Sequence, residues 1–240
     1  MTEITIRNKE ILGVLDETLE MFLEHKDLMQ EITYAKGDLD EVTPIGEGKK
    51  WTEEKSLREY YLPNQHEHEG FPTSAMGFQV TQGCHHHPEI FEPLKHHTKV
   101  HLPAFFGASN NSLTSYYPPL GYIGWHTNWN AYAFQMILTW SETGDGYFRY
   151  YDNKTDTVVT EEDVPGWQAR YYRFGHYHEP EHHFWHAAWT ECPRFTLAFK
   201  WPYGKQGKWD DLPDYVPGKL EKAKQAQQMF IEELELDIDA

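Results

Sequence analysis

Short runs of β-branched and aromatic residues between Ser115 and Trp201 constrain the fold of this chain more than any other feature. Each run is bounded by Gly, Asn, Asp or Pro, a pattern typical of strands separated by turns. The predicted strands are Ser115–Tyr117, Tyr122–His126, Tyr132–Trp140, Tyr147–Tyr151, Thr157–Thr160, Trp167–Phe174, Phe184–Trp189 and Arg194–Trp201. Short strands in this number predict a sandwich or barrel of antiparallel sheets.

Amphipathic helices are predicted on either side of this strand-rich stretch. Residues 8 to about 32 place apolar side chains at intervals of three and four, and a similar pattern follows Pro217. The apolar positions are Leu12, Leu15, Leu19, Phe22 and Leu23 in the first helix, and Leu220, Ala223, Phe230 and Leu234 in the second. Both helices are expected to support a sheet. Between Gly37 and Leu113, repeated prolines predict loops, short strands and one further helix.

The length of 240 residues is that of one hydrophobic core with extensions. No repeat or linker divides the chain, so residues 1–240 are predicted to form a single domain. Its parts are a helix- and loop-rich support region at 1–113, a β core at 114–202 and a C-terminal helical extension at 203–240. The predicted fold class is therefore mainly β with flanking helices.

Charge and cysteine content exclude several classes of protein. The 38 acidic and 21 basic residues give a net charge of −17, which disfavours a nucleic-acid partner. The two cysteines, Cys84 and Cys192, are too few for a disulfide scaffold or a four-cysteine zinc site, and fit a reducing compartment such as the cytoplasm. The densest apolar stretch, Ala131 to Leu138, contains Gln135, so no membrane span is expected.

Two of the 15 histidines stand out by position. His126 and His186 lie at the edges of strong strand patterns, and strands hold ligands more rigidly than loops do. Opposed strands could bring the two imidazoles together as a metal site. Other histidines lie in stretches interpreted as loop, turn or extended surface chain, where ligation is disfavoured: His66, His68, His85, His86, His87, His96, His97, His101, His176, His178, His182 and His183.

The last predicted strand carries a candidate anion clamp. Period-two alternation places Arg194, Thr196, Ala198 and Lys200 on one face, which suits a polar pocket, and Phe195, Leu197, Phe199 and Trp201 on the other, which suits a core. A guanidinium binds a carboxylate through two parallel charge-assisted hydrogen bonds, so Arg194 could hold a small acid. A surface salt bridge to one of the many acidic residues is the alternative for Arg194.

The stretch Tyr116 to Trp201 resembles the double-stranded β-helix, a jelly-roll or cupin-like fold, of the 2-oxoglutarate- and iron(II)-dependent dioxygenases, and is nearest to their prolyl-hydroxylase branch. The matching features are His126-Thr127-Asn128 at the His-x-Asp motif, His186, Arg194, the pair Tyr117-Pro118 and the segment GDGYFRYYD. The resemblance implies that His126 and His186 bind Fe(II) and that Arg194 holds the distal carboxylate of 2-oxoglutarate.

The same resemblance implies the reaction. The cosubstrate would be decarboxylated to succinate while dioxygen supplies a hydroxyl group to a peptide or small-molecule substrate. The branch favours a prolyl or another amino-acid side chain as the target. Tyr117, Gln135 and Thr196 are further candidates for contact with 2-oxoglutarate, although packing roles remain open for them. Trp125, Trp129, Trp185 and Trp189 are expected as aromatic walls of the cavity or as ordinary core.

One residue departs from the family pattern. Asn128 stands where the family has Asp, and a neutral amide is a poorer partner for a hard cation than a carboxylate is. Three interpretations stay open: Asn128 binds iron weakly through its oxygen, water fills the third position, or the site is silent. A related branch, the aspartyl/asparaginyl β-hydroxylases, works with two histidines and no carboxylate. The rival functions are therefore a non-catalytic binding protein on the same fold and a cupin-like metalloenzyme that does not use 2-oxoglutarate.

Overall fold

Antiparallel strands build the centre of the computed structural model, which describes residues 3–36, 46–64, 72, 74–128, 133–175, 179, 183–203 and 218–236. The strands are β1 (Glu3–Ile4), β2 (Tyr34–Lys36), β3 (Ala75–Gln79), β4 (Asn110–Tyr117), β5 (Tyr122–His126), β6 (Ala133–Ser141), β7 (Gly146–Asp152), β8 (Thr157–Glu162), β9 (Gly166–Phe174), β10 (His186–Thr190) and β11 (Arg194–Pro202). All eight predicted strands are confirmed, with β4 beginning five residues earlier than expected. Strand β3 is one of the short strands expected between Gly37 and Leu113, whereas β1 and β2 lie outside every stretch predicted to contain strands.

The strands form two sheets that share one edge. The first has the order β1-β9-β6-β11-β4 and the second the order β5-β10-β7-β8, and β3 pairs with both β4 and β5. From β4 to β11 the chain passes repeatedly from one sheet to the other, and every pairing is antiparallel. This winding is the double-stranded β-helix, so the predicted fold class is confirmed.

The two faces of β11 have different partners, as the alternation predicts. Phe195, Leu197 and Phe199 belong to the large buried cluster that includes residues of the flanking helices. Ala198 belongs instead to a second cluster, in which it packs with residues of β6, β7, β9 and β10 from both sheets. The even-numbered residues of β11 therefore face the space between the sheets, where a ligand can bind.

Helices and helical turns flank both sheets. The helices are α1 (Lys9–Leu23), α2 (Lys26–Glu31), α3 (Glu54–Ser56), α4 (Val80–His86), α5 (Pro88–His96), α6 (Leu102–Phe105) and α7 (Lys219–Glu235), with a 3₁₀ turn at Gly48–Thr52 and π-helical turns at Leu57–Tyr61 and His97–His101. Helices α1, α2 and α4 to α7 lie beside the first sheet, whereas the turns at Gly48–Thr52 and Leu57–Tyr61 pack on β5 and β10 of the second sheet. The single first helix predicted for residues 8–32 is interrupted at Glu24 and His25. No helix in the described part of the chain has the length and apolar character to cross a bilayer.

The termini of α1 and α7 support each other. The Asn8 side chain caps α1 by accepting hydrogen bonds from the Glu10 and Ile11 amides at 3.0 and 3.2 Å. Its Nδ2 atom donates to the Glu233 carbonyl at 3.0 Å. On the sheet side, Gln227 of α7 donates to the Gln135 carbonyl of β6 at 2.8 Å. One capping residue thus joins the two flanking helices over the sheet that carries the cavity.

The region from Gly37 to Leu113 contains more helix than the proline count suggests. Prolines 88 and 103 stand in the first turn of α5 and of α6, where a missing N–H costs nothing. His85 and His86 end α4 and are exposed, so the expectation of an extended segment there is wrong, whereas their surface position agrees with the sequence. His66, His68, His176, His178 and His182 lie outside the described residues.

Candidate metal and cosubstrate site

His126 and His186 meet at the edge of the space between the sheets. They are Cα partners in the β5–β10 ladder, and their ring centroids are 4.0 Å apart. Both side chains are buried. The ladder shifts register between His186 and Ala188, and a bulge of this kind re-aims side chains locally. The two imidazoles that the sequence separates by sixty residues are therefore in direct contact.

Both rings have the tautomer that metal ligation needs. The Nδ1 atom of His126 lies 2.8 Å from the Gly124 carbonyl, and that of His186 lies 2.8 Å from the Phe184 carbonyl. Because a carbonyl oxygen only accepts, each Nδ1 carries the proton, and each Nε2 of a neutral ring carries a lone pair. A backbone partner on Nδ1 is the usual way in which a metal-binding histidine is oriented.

Burial keeps both rings neutral. It lowers the pKa of His126 to about 4. It also lowers the pKa of His186 well below its usual value, with a further contribution from His126. Two uncharged imidazoles can therefore stand side by side at neutral pH without repelling each other. The structure therefore places two neutral nitrogen donors beside each other in the cavity wall.

Asn128 supplies the third side chain at this position. It has the left-handed φ of 54°, a conformation that Asn tolerates better than most residues. Its Nδ2 atom lies 3.4 Å from Nε2 of His186, so the side-chain amide reaches the ring nitrogen that a metal would need. Among the described residues, no group of three or more His, Cys, Asp or Glu side chains could hold a metal ion. The donor set is thus two imidazoles and one amide, all neutral.

A cavity of about 580 Å³ contains all the residues predicted as ligands and cosubstrate contacts. Its lining includes Tyr117, His126, Asn128, Gln135, His186, Arg194 and Thr196. This is the size of an ordinary small-molecule site. The structure therefore brings together residues that lie on β4, β5, β6, β10 and β11.

Arg194 is buried and held by three neighbours. Its Nε atom donates to Asp163 Oδ2 at 2.8 Å, and the two terminal nitrogens lie 2.9 Å from Thr196 Oγ1 and 3.4 Å from Thr139 Oγ1. The guanidinium also lies 5.7 Å from the centre of the Tyr117 ring. The alternative of a salt bridge to an acid is confirmed, but its expected surface position is wrong, because both partners are buried. Arg194 is a fixed cation in the cavity wall, with hydroxyl groups beside its terminal nitrogens.

Asp163 is the residue that the sequence interpretation missed. It also accepts from Arg170 Nη1 at 2.9 Å, and Arg170 in turn lies 3.2 Å from Glu161. Burial raises the pKa of Asp163, but the two guanidiniums outweigh this and hold the pKa below its usual value. Asp163 lies between β8 and β9, in a segment that carries no strand pattern. Nothing in that segment identifies a buried acid.

The remaining predicted contacts lie at different heights along the cavity. In the register of β11, Arg194 is level with Tyr117, and Thr196 is level with Thr139. Gln135 is level with Lys200, at the other end of β11 from Arg194, and its Oε1 lies 3.5 Å from Ser112 Oγ. Tyr117 and Thr196 thus flank Arg194, whereas Gln135 does not.

Of the two expectations for the tryptophans, ordinary core is confirmed for Trp125, Trp185 and Trp189, and phenylalanines stand beside His186 instead. Trp125 and Trp185 pack with Leu57 and Tyr61 in a separate cluster, and Trp189 packs with Tyr122 and Tyr147. Trp129 lies outside the described residues. The rings beside His186 are those of Phe148, Phe174 and Phe184, with centroids 5.7, 5.1 and 5.4 Å from it. Alternation along each strand explains the difference, because neighbours of an inward histidine point outward.

Comparisons with known proteins add structural similarities only. No family model and no curated protein matches the sequence. A Pseudomonas putida prolyl-4-hydroxylase aligns at 14% identity over 66% of this chain and 87% of its own, with a TM-score of 0.31.

Two further solved structures align with this chain over a smaller share of their own length. The Escherichia coli ribosomal oxygenase YcfD, solved with cobalt and 2-oxoglutarate, aligns at 15% identity over 70% of this chain and 50% of its own, with a TM-score of 0.29. The Drosophila melanogaster CENP-C cumin domain aligns at 8% identity over 37% of this chain and 56% of its own, with a TM-score of 0.27. Because these TM-scores are low, a function for this protein has to be argued from the residues of the cavity.

Proposed function

We propose that this protein is a non-haem iron oxygenase that couples the oxidative decarboxylation of 2-oxoglutarate to the hydroxylation of a substrate. The observation that carries the proposal is the pair of neutral imidazoles, His126 and His186, in the wall of the same cavity that contains Arg194. A pair of imidazoles without a cation to bind a carboxylate would fit many other activities. So would such a cation without the pair of imidazoles. Their presence in one cavity favours a metal-bound acid.

The residues have separate roles in this proposal. His126 and His186 bind Fe(II) through Nε2, and Asn128 or a water molecule takes a third position. Arg194, with the hydroxyls of Thr196 and Thr139 beside it, receives the distal carboxylate of 2-oxoglutarate. When bound, the iron would supply the activation of dioxygen and the oxidising power for hydroxylation.

The remainder of the cavity excludes water from the reaction. Ile137, Phe148, Phe174 and Ala198 form one buried apolar cluster between the sheets. Two of them, Phe148 and Phe174, contact the His186 ring. A dry environment strengthens the electrostatic interactions of Arg194 and protects a reactive site from side reactions. The Asp163 contact on Nε leaves the terminal nitrogens as the part of Arg194 available to a carboxylate.

An anaerobic titration tests the proposal directly. Fe(II) and 2-oxoglutarate added together to the full chain are expected to give a visible charge-transfer absorption band, and admission of dioxygen is expected to release succinate. His186→Ala should abolish both signals, and His87→Ala, which removes an imidazole elsewhere, should keep them. Absence of the band and of succinate from correctly folded protein would refute the proposal.

One observation favours a second candidate. The neutral Asn128 leaves the metal site without its carboxylate, which fits a binding protein on the same fold that has lost catalysis. Retained binding of 2-oxoglutarate without metal uptake would support this candidate. A cupin-like metalloenzyme that does not use 2-oxoglutarate is excluded if succinate release is coupled to oxygen uptake. A prolyl or other amino-acid side chain as the substrate stays a prediction.

A further inference from the structure

Lys200 is a second cation in the cavity, far from Arg194. Both residues lie on the inward face of β11, and six residues at about 3.3 Å each separate their Cα atoms by about 20 Å. Lys200 lines the cavity together with Asn110 of β4 and Gln135 of β6, which are its two neighbours in the register. A five-carbon dicarboxylate held at Arg194 leaves this end of the cavity to another ligand.

The charge of Lys200 is not balanced by the described residues. No described acidic side chain lies within salt-bridge distance of it, whereas Arg194 is paired with Asp163. Lys99 lies nearby, where its Nζ donates to the Asn111 carbonyl at 2.9 Å. Burial lowers the pKa of Lys200, and burial followed by repulsion from Lys200 lowers that of Lys99. An anion bound here would relieve both costs.

The two residues level with Lys200 on the neighbouring strands, Asn110 and Gln135, carry neutral amides. The Oδ1 atom of Asn110 is buried and has no hydrogen-bond partner in the described part of the protein. Its amide can turn to present N–H groups to an acceptor, as can that of Gln135 on the other side. Lys99 is not among the described residues that line the cavity, so a ligand meets one ammonium and two neutral amides. This set matches a single negative charge with several acceptor atoms better than a dianion, which requires more positive charge.

The next row of the cavity is apolar. Ala198 is level with Leu113 on β4 and Ile137 on β6. Ala198 and Ile137 belong to the same cluster as Phe148 and Phe174, which contact the His186 ring. A molecule with its acidic group at Lys200 therefore has apolar surroundings that continue to the proposed metal ligands.

We infer that the substrate is a small monocarboxylic acid with an apolar carbon skeleton, whose carboxylate binds Lys200 between Asn110 and Gln135. The inference rests on the proposed function only where it calls the acid a substrate, because the acid is then the molecule that the proposed reaction hydroxylates. The binding site itself rests on the cavity alone. It differs from the cosubstrate position because two separate cations hold the two acids.

Direct binding to the full chain tests the inference. The probes are straight-chain carboxylates from butanoate to decanoate, their primary amides and the corresponding alkyl phosphates. Their binding is measured by ligand-observed NMR in the presence of saturating 2-oxoglutarate. At least one carboxylate is expected to bind, and its amide is not. Lys200→Gln should weaken that binding about tenfold or more, since a charge-assisted hydrogen bond is lost. Lys200→Arg should retain most of it, and Lys222→Gln, which removes an exposed charge on α7, should change nothing.

Each contrary result has a separate meaning. Unchanged carboxylate binding in Lys200→Gln, binding of no carboxylate in the series, or preference for the phosphates would overturn the inference. So would a loss of 2-oxoglutarate binding in Lys200→Gln, because Lys200 would then hold the cosubstrate. If the iron band and succinate are absent while Lys200-dependent carboxylate binding remains, the proposed function fails and the acid site stands.

Discussion

Removal of the buried acid that joins Arg170 and Arg194 is expected to be the most damaging isosteric change among the residues that support the cavity wall. Asp163→Asn leaves two buried guanidiniums facing a neutral amide that cannot balance either of them. The Asp163 side chain is fully buried, and both ion pairs are short, at 2.9 and 2.8 Å. Breaking a buried pair of this kind costs about 3–5 kcal/mol of unfolding free energy. For a chain of this length, that corresponds to a melting temperature lower by about 6–20 °C.

Urea unfolding followed by circular dichroism measures the effect, and the adjacent Glu162 provides a control. Glu162 is exposed on β8, so Glu162→Gln makes the same change of charge at almost the same place in the chain. It should alter the unfolding free energy by less than about 0.5 kcal/mol. An Asp163→Asn variant within about 1 kcal/mol of the native protein, or an equal loss in both variants, would refute the reasoning.

The pH dependence of the same difference has a defined sign. Asp163 has a lower pKa in the folded protein than in the unfolded chain, where an Asp titrates near about 3.9. Its contribution to stability is therefore complete above that value and is lost as the pH falls toward the folded pKa. The difference between native protein and Asp163→Asn should stay constant from pH 7 to pH 5 and shrink below about pH 4. A difference that grows on acidification would contradict the assigned ion pairs.

Three further changes probe the proposed metal ligands and the helical support. Asn128→Asp should tighten retention of Co(II), measured by equilibrium dialysis, by about tenfold or more, because a charge joins a neutral donor set; no change would mean that this side chain does not face the metal. Asn8→Ala should lower the unfolding free energy by about 1–2 kcal/mol through loss of the α1 cap, and Asn8→Asp should recover part of it; equal losses would contradict the capping role. Gly83→Ala should cost about 1–3 kcal/mol, because an added Cβ would stand 2.6 Å from the Phe91 ring; an unchanged midpoint of unfolding would show that α4 and α5 can separate freely.

The strands of the core are predictable from sequence because each is a short apolar run between turn residues. The inward face of β11 follows from period-two alternation alone, and so does the separation of Ala198 from Phe199. The position of Gln135 relative to Arg194 does not follow, because it depends on the register between β6 and β11. A side chain can be assigned to a face from local pattern, but its height along the cavity requires the pairing of distant strands.

The histidine pair could be predicted from local sequence patterns, whereas the buried acid could not. His126 and His186 lie on predicted strands, so their meeting required only that the strands be paired. Asp163 lies between strands, and its burial results from the approach of Arg170 and Arg194, which belong to two other elements. The stretch with His96, His97 and His101 is predicted as a loop, but it is helical. In this stretch, His97 lies 3.0 Å from Thr18 of α1, a contact that only tertiary packing creates.

The balance of charge in the cavity depends on the neutral Asn128 and on the two cations of β11, Arg194 and Lys200. A divalent metal held by neutral imidazoles and an amide keeps its full charge, so its balance must come from bound ligands. Arg194 is already paired with Asp163, while Lys200 has no described acid beside it. Net positive charge therefore accumulates inside a protein whose total charge is −17. In the proposed function, such a cavity would select anions that its own surface repels, and a neutral amide at Asn128 in place of a carboxylate would increase that selectivity at the expense of metal affinity in the absence of a bound acid.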